Sequence, residues 1–137
     1  MMSMTVAELL VQTLDQIGAH QVFGIVGDAL NPFTDAIRRQ EVVRWIGVRH
    51  EEGAALAATG QAKLTGRLGV CCGTTGPGAN HLVSGLYEAR KDHAPVLAIS
   101  GGVASAKRGT DYLQEDDPVA LFGLSLIHIS ERAGKAD

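Results

Sequence analysis

The sequence predicts an α/β fold, a doubly wound parallel sheet with helices on both faces. Three observations predict it. Short apolar runs alternate with helix-length runs along the whole chain. Glycine, at 17 of 137 residues, stands well above its usual share of about 7% and gathers in the turns that follow the apolar runs. A chain of 137 residues suits a single compact domain around one core.

Each element follows from local signals. Thr5 and Glu8 have the spacing of a capping box, and Val6, Leu9, Leu10, Leu14 and Ile17 recur at helical intervals until Gly18 ends the segment. QVFGIV (21–26) reads as a strand, Gly27 and Asp28 as a turn, and Asn31 with Pro32 as the N-cap and first position of a helix reaching about Arg39. VVRWIGV (42–48) is a second strand, whose Val43, Trp45, Ile46 and Val48 suggest burial. EEGAALAATGQAKLTG is a helix closed by Gly66. LGVCC is a strand, GANHLVSGLYEARKD a helix opened near Pro77, and PVLAISG a strand. The run LSLIHISERAGKAD (124–137) breaks this rhythm with an apolar stretch and a charged end. LSLIHIS reads like the translation of a transposon-end sequencing adapter, so 124–137 is set apart from the domain at 1–123 as an artefactual tail.

Composition excludes several function classes. A formal charge of -3 provides no basic field for nucleic acid or an anionic membrane. No run approaches the 18 or more apolar residues of a membrane span. The absence of Lys and Arg before Arg38 denies the start of the chain the positive flank of a secretory signal, and a cytoplasmic protein is expected. Cys71 and Cys72 are adjacent in a strand, so they face opposite ways and cannot staple distant elements; packing is their expected role. The five histidines, His20, His50, His81, His93 and His128, show no paired ligand spacing, and no metal site is expected.

In a parallel sheet the carboxyl ends of the strands share one edge, and ligands bind in the crevice there. The segments at that edge are GDALN, HEEG, GTTGPGAN and GGVASAKRGTDYLQE. GTTGPGAN lacks the Lys and Ser/Thr of a P-loop, and neither it nor GIVGDALN has the GxGxxG spacing of a dinucleotide fold. Glu51 is the informative residue. A lone Glu near a helix N-terminus is usually a surface charge that complements the helix dipole, worth about a few tenths of a kcal/mol. Here it follows a strand and precedes GAALAATG, small residues that admit another backbone or a flat ligand. A carboxylate half-withdrawn from water at such a place is suited to proton traffic.

Four motifs in this order, VFGIVGDALN, RHEEGAALAATGQAKLTG, GVCCGTTGPGANHLVSGLYEARKDHAPVLAISG and DYLQE, resemble the N-terminal pyrimidine-binding domain of thiamine diphosphate-dependent enzymes over residues 4 to 123. Within that superfamily the chain is most similar to the pyruvate oxidases and quinone-linked pyruvate dehydrogenases, with acetolactate synthases close by. The resemblance implies the thiamine diphosphate-binding fold and an activating Glu51, hydrogen-bonded to N1′ of the aminopyrimidine. It implies that Gly76, Pro77, Gly78 and Asn80 line the pyrimidine ring. Gly27 and Asp28 would form the turn beside the thiazolium, and Gln114 would lie near substrate, although Leu113 stands where an aromatic residue is usual. Arg49 and His50 would orient Glu51 or pair at an interface.

The reaction implied is decarboxylation of a 2-oxo acid, pyruvate foremost, followed by oxidation; carboligation of the acetolactate synthase kind and a non-catalytic assembly module are the alternatives. The resemblance also implies a homo-oligomer, dimer or tetramer, with any membrane association peripheral and limited to a quinone-linked enzyme. Mg²⁺ would be held by a separate domain with a Gly-Asp-Gly motif, which does not occur in this sequence, and FAD by a middle domain if the enzyme is an oxidase. The chain is therefore expected to be a fragment, inactive by itself.

Overall fold

A computed structural model describes residues 4–123; the tail at 124–137 lies outside the described residues. Four strands, β1 (Gln21–Gly24), β2 (Arg44–Gly47), β3 (Gly69–Gly73) and β4 (Val96–Ser100), form one sheet in the order β2-β1-β3-β4. All three pairings are parallel. The helices are α1 (Val6–Gln16), α2 (Asn31–Arg38), α3 (Glu51–Thr65), α4 (Pro77–Asn80), α5 (Val83–Lys91) and α6 (Pro118–Phe122), with 3₁₀ turns at Asp28–Leu30 and Ser105–Lys107. Among the described residues no helix is long and apolar enough to cross a membrane.

Alternation along the strands builds two cores. Val22, Val70 and Cys72 meet Val11 and Leu14 of α1 and Phe33, Ala36 and Ile37 of α2 on one face. Phe23, Cys71 and Ala98 meet Ala54, Ala55 and Ala58 of α3, Leu86 of α5 and Phe122 of α6 on the other. The adjacent cysteines do point to opposite faces, as their places in a strand require. The doubly wound expectation holds. Because β1 lies between β2 and β3, the chain leaves it in one direction and returns on the other side. That reversal puts the switch point, where ligands bind in open α/β sheets, at the carboxyl ends of β1 and β3.

Caps fix the helix ends. Glu8 N–H donates to Thr5 Oγ1 at 3.2 Å and Thr5 N–H to Glu8 Oε2 at 2.8 Å, the predicted capping box. Gly66 (φ 67°) closes α3 in the left-handed region. The N-cap of α2 differs from expectation. Asp28–Leu30 already turns as a 3₁₀ helix, so Leu30 is the cap, Asn31 has helical backbone angles and Pro32 is the second helical residue. A preceding turn of helix leaves Asn31 no extended conformation from which to cap.

Three other expectations are corrected. The strand expected over 21–26 ends at Gly24, and that expected over 42–48 covers only Arg44–Gly47. Trp45 and Ile46 are half-buried because β2 is an edge strand with β1 as its one partner, while Val43 just outside it is buried. The single helix expected across 78–92 is two, separated at His81 and Leu82, where Leu82 N–H bonds back to Ala79 O at 3.1 Å. Two anchors pull in different directions. Gly78 presses its carbonyl onto Gly73 of β3, and Gly85 presses onto Ala55 of α3; one straight axis cannot serve both.

The α3–α5 contact is close enough to exclude a methyl group. A Cβ on Gly85 would lie 2.5 Å from Ala55 Cβ and 2.7 Å from Leu56 N, and Thr59 Oγ1 bonds across the seam to Gly85 O at 3.3 Å. Gly60, on α3, has nothing within 4 Å. Gly85→Ala therefore destabilises the chain by about 1–3 kcal/mol through overpacking, whereas Gly60→Ala stabilises it by up to about 1 kcal/mol through helix propensity. Urea unfolding followed by circular dichroism reads both.

Candidate functional site

The site is assembled at the carboxyl edge from four loops that touch through glycine. After β1, Gly27 sits so close to the β3 loop that a Cβ would come 2.5 Å from Thr74 Oγ1. After β4, a Cβ on Gly101 would come 2.8 Å from Ala29 Cβ and 2.9 Å from Thr75 N. Gly76 (φ 66°) lies against the 109–116 loop, where its Cβ would meet Gln114 O at 2.4 Å. A Cβ on Gly78 would stand 2.9 Å from Thr74 Cγ2 and 3.2 Å from Glu51 Oε1. No side chain fits at these positions.

Glu51 is the first residue of α3, after the short turn that follows β2, and is 7% exposed. Its Oε2 lies 3.0 Å from His81 Nδ1, the hydrogen bond that satisfies a carboxylate withdrawn from water. His81 reaches it because the break between α4 and α5 turns the side chain toward the start of α3. His50 is the N-cap of α3, its Nδ1 accepting from Glu52 N–H at 3.3 Å, and its ring stacks on His81 with centroids 4.4 Å apart. The three side chains form one cluster, a buried carboxylate flanked by two exposed imidazoles. Positioned this way, Glu51 can give or take a proton at an atom placed at this edge.

The structure brings Glu51 and Gly78 together and sets Gly76 and Gly27 beside them. Pro77 opens α4 and is exposed, as are Asp28, at the start of its 3₁₀ turn, and Asn80, at the end of α4. Gln114 approaches by its backbone: its carbonyl covers Gly76, it has φ 62°, and it is exposed. Leu113 is 80% exposed.

Sequence reasoning left His81 without a role. Its one signal is position: it follows GPGAN immediately, and only a chain that breaks at Leu82 aims it at Glu51. Asp116 was missed too. It accepts from the Asn80 side chain, while its Oδ2 is buried without a hydrogen-bond partner among the described residues. Burial, with Asp117 adjacent, pushes its carboxyl above the usual carboxylate range despite the bond from Asn80. Thiol chemistry is excluded by environment: burial pushes Cys71 and Cys72 both to about 12, so neither forms thiolate near neutral pH.

The 109–116 loop is held by Glu115. Its carboxylate accepts from Gly109 N–H at 2.5 Å and Tyr112 N–H at 3.0 Å, and the Gly109 bond above all holds its pKa below the usual 4.5. This is the loop whose backbone covers Gly76.

Comparison with known proteins gives the chain its relatives. The family model described as thiamine pyrophosphate enzyme, N-terminal TPP binding domain, matches residues 4–121. A putative thiamine pyrophosphate-containing protein of Bacillus subtilis, YdaP, is 49% identical over 112 residues, 81% of this chain and 20% of that protein. The acetolactate synthase large subunit of Corynebacterium glutamicum is 47% identical over 114 residues, 83% of this chain and 18% of that protein. Pyruvate oxidase of Lactiplantibacillus plantarum is 43% identical over 106 residues, 77% of this chain and 18% of that protein. The chain thus spans about a fifth of the length of these relatives.

Two outcomes follow from the geometry. Gly76→Ala combines a left-handed backbone with a clash at Gln114 O, so it lowers stability by more than about 1 kcal/mol and exposes 109–116 to limited proteolysis. Because the folded-state pKa of Glu115 is depressed, its contribution is complete above the usual 4.5 and is lost as pH falls through the lower folded value. The protection of the Gly109 and Tyr112 amides relative to their intrinsic exchange rates therefore falls in acid, and Glu115→Gln lowers it at neutral pH.

Proposed function

The chain belongs to the thiamine pyrophosphate enzymes, as their N-terminal TPP binding domain, and from that premise we propose that it receives and activates the coenzyme's aminopyrimidine in a 2-oxo-acid-decarboxylating enzyme. One observation carries the reading. A carboxylate 7% exposed, bonded to His81, lies among closely packed glycine turns at the sheet's switch point, where ligands bind in open α/β sheets. The fit rests on the same contacts. Gly76 and Gly78 let the turn after β3 pack its backbone closely beside Glu51, and that carboxylate can share a proton with a ring nitrogen placed at this edge.

In this reading Gly76, Pro77, Gly78 and Asn80 line the pyrimidine, Gly27 and Asp28 border the thiazolium side, and Gln114 stands nearest substrate. Bound thiamine diphosphate supplies the electron sink that lets a 2-oxo acid lose carbon dioxide. Glu51 holds or releases the proton at the ring nitrogen, and His81 fixes the orientation of that carboxylate. His50 caps α3 and so fixes where Glu51 begins. The close approach of the β1, β3 and β4 loops narrows the access of water.

We assign Mg²⁺, and FAD in an oxidase, to other parts of the complete enzyme. We also propose that it is a homo-oligomer. On α3, Gly53, Leu56, Gly60 and Leu64 form a stripe of small and apolar residues, with Leu64 89% exposed, which supports a seam with a second copy. We take pyruvate as the substrate and oxidation as the second half-reaction, on the strength of the pyruvate oxidase relative and the motifs that resemble that branch. Carboligation is the second reading, favoured by the higher identity to acetolactate synthase.

In the complete enzyme, Glu51→Gln keeps a hydrogen-bond acceptor but cannot exchange the proton, and turnover falls by about 10²-fold or more. Near-normal activity rejects the assignment. Product analysis with pyruvate separates the halves: acetolactate indicates carboligation, and reduction of an added electron acceptor indicates oxidation.

A further inference from the structure

We propose that His50, Glu51 and His81 form a transition-metal site that takes zinc, or a divalent ion of similar softness, through two imidazole nitrogens and one carboxylate oxygen. It rests on the coenzyme reading only for its consequence: ion and coenzyme claim the same carboxylate, so the ion blocks cofactor loading.

The donor set comes from two places in the chain that fold into one. His50 and Glu51 lie at the β2–α3 junction and His81 at the α4–α5 break, so no sequence spacing announces them. One ligand atom from each residue lies within 4.8 Å of the others. A tetrahedral ion with bonds of about 2.0–2.2 Å sets its ligands roughly 3.3–3.5 Å apart. Glu51 Oε2 and His81 Nδ1 are already 3.0 Å apart. His50 must draw in and tilt out of its stack on His81, because the lone pairs of two near-parallel rings do not converge on one ion. His50 is exposed, and the contact from Glu52 N–H to its Nδ1, at 3.3 Å, is long.

Two histidines and one glutamate make the open three-ligand set used by catalytic zinc sites. Imidazole suits zinc, copper and nickel, whereas magnesium and calcium seek six or more oxygens and find one carboxylate here. The side chain of His81 is 46% exposed, which provides an entry path and a fourth position for water. A hydrogen bond joins His81 to Glu51; in the loaded site the ion takes its place.

The test is titration of the untagged full chain with Co²⁺ and Zn²⁺ alone. The expected result is one ion per chain, a tetrahedral Co²⁺ absorption band abolished by Zn²⁺, and Zn²⁺-dependent shifts of the His50 and His81 ring nitrogens in NMR. His50→Asn, Glu51→Gln and His81→Gln each weaken binding by at least about tenfold, the loss that even an outer-shell partner can cause. His20→Asn, His93→Asn and His128→Asn leave it unchanged. Circular dichroism and thermal melting establish that the variants fold. No binding at millimolar ion, or ring shifts confined to other histidines, overturns the proposal. That failure leaves the coenzyme reading intact, because the latter is judged by turnover of the complete enzyme.

Discussion

The structure depends on a carboxylate that has been taken out of water and given one imidazole in return. Burying an ionisable group costs several kcal/mol unless a partner satisfies it. Glu51, 7% exposed, has His81 at 3.0 Å. That contact ties the start of α3 to the break between α4 and α5, two places thirty residues apart. Were α4 and α5 one straight helix, His81 would leave the acid with no such partner. The bend in the backbone and the chemistry of the edge are one feature.

A second constraint follows from how near the backbones stand. Gly73 on Gly78, Gly76 on Gln114 and Gly85 on Ala55 are contacts that no side chain could share. They divide the labour between the two faces of the sheet. The face under α1 and α2 is filled by Leu14, Phe33, Ile37 and Val70. The face under α3 is filled largely by alanine, together with Leu82, Leu86 and Phe122. At about 0.8 kcal/mol per buried methylene, alanines contribute little apiece. The first face therefore supplies more of the hydrophobic stability, and the second gives up burial for proximity to the carboxyl edge.

The groups that could compete for chemistry are kept quiet by the same packing. Cys71 and Cys72 straddle the sheet in two dry cores and stay protonated, with pKa near 12. Glu115 is occupied with backbone N–H groups of its own loop. Among the described residues at the edge, the proton-bearing groups grouped within reach of one another are Glu51 and its two histidines. Asp116, with one oxygen unpartnered, sits against Asn80 behind the glycine turn.

By itself the sequence determined the alternation of strands and helices, the caps at Thr5 and Gly66, the opposed cysteines and the place of Glu51 at the start of a helix. These are local or periodic properties, written in neighbours one to four residues apart. Tertiary structure decided the rest. The sequence read 78–92 as one helix because both halves carry helical residues; contacts of Gly78 with β3 and of Gly85 with α3 broke it. Trp45 and Ile46 looked buried because a strand's pattern does not reveal that it will lie at an edge. His81 had no role until that break aimed it at Glu51, and the cluster with His50 had no spacing to betray it. Such meetings arise from long-range packing, which only the folded chain expresses.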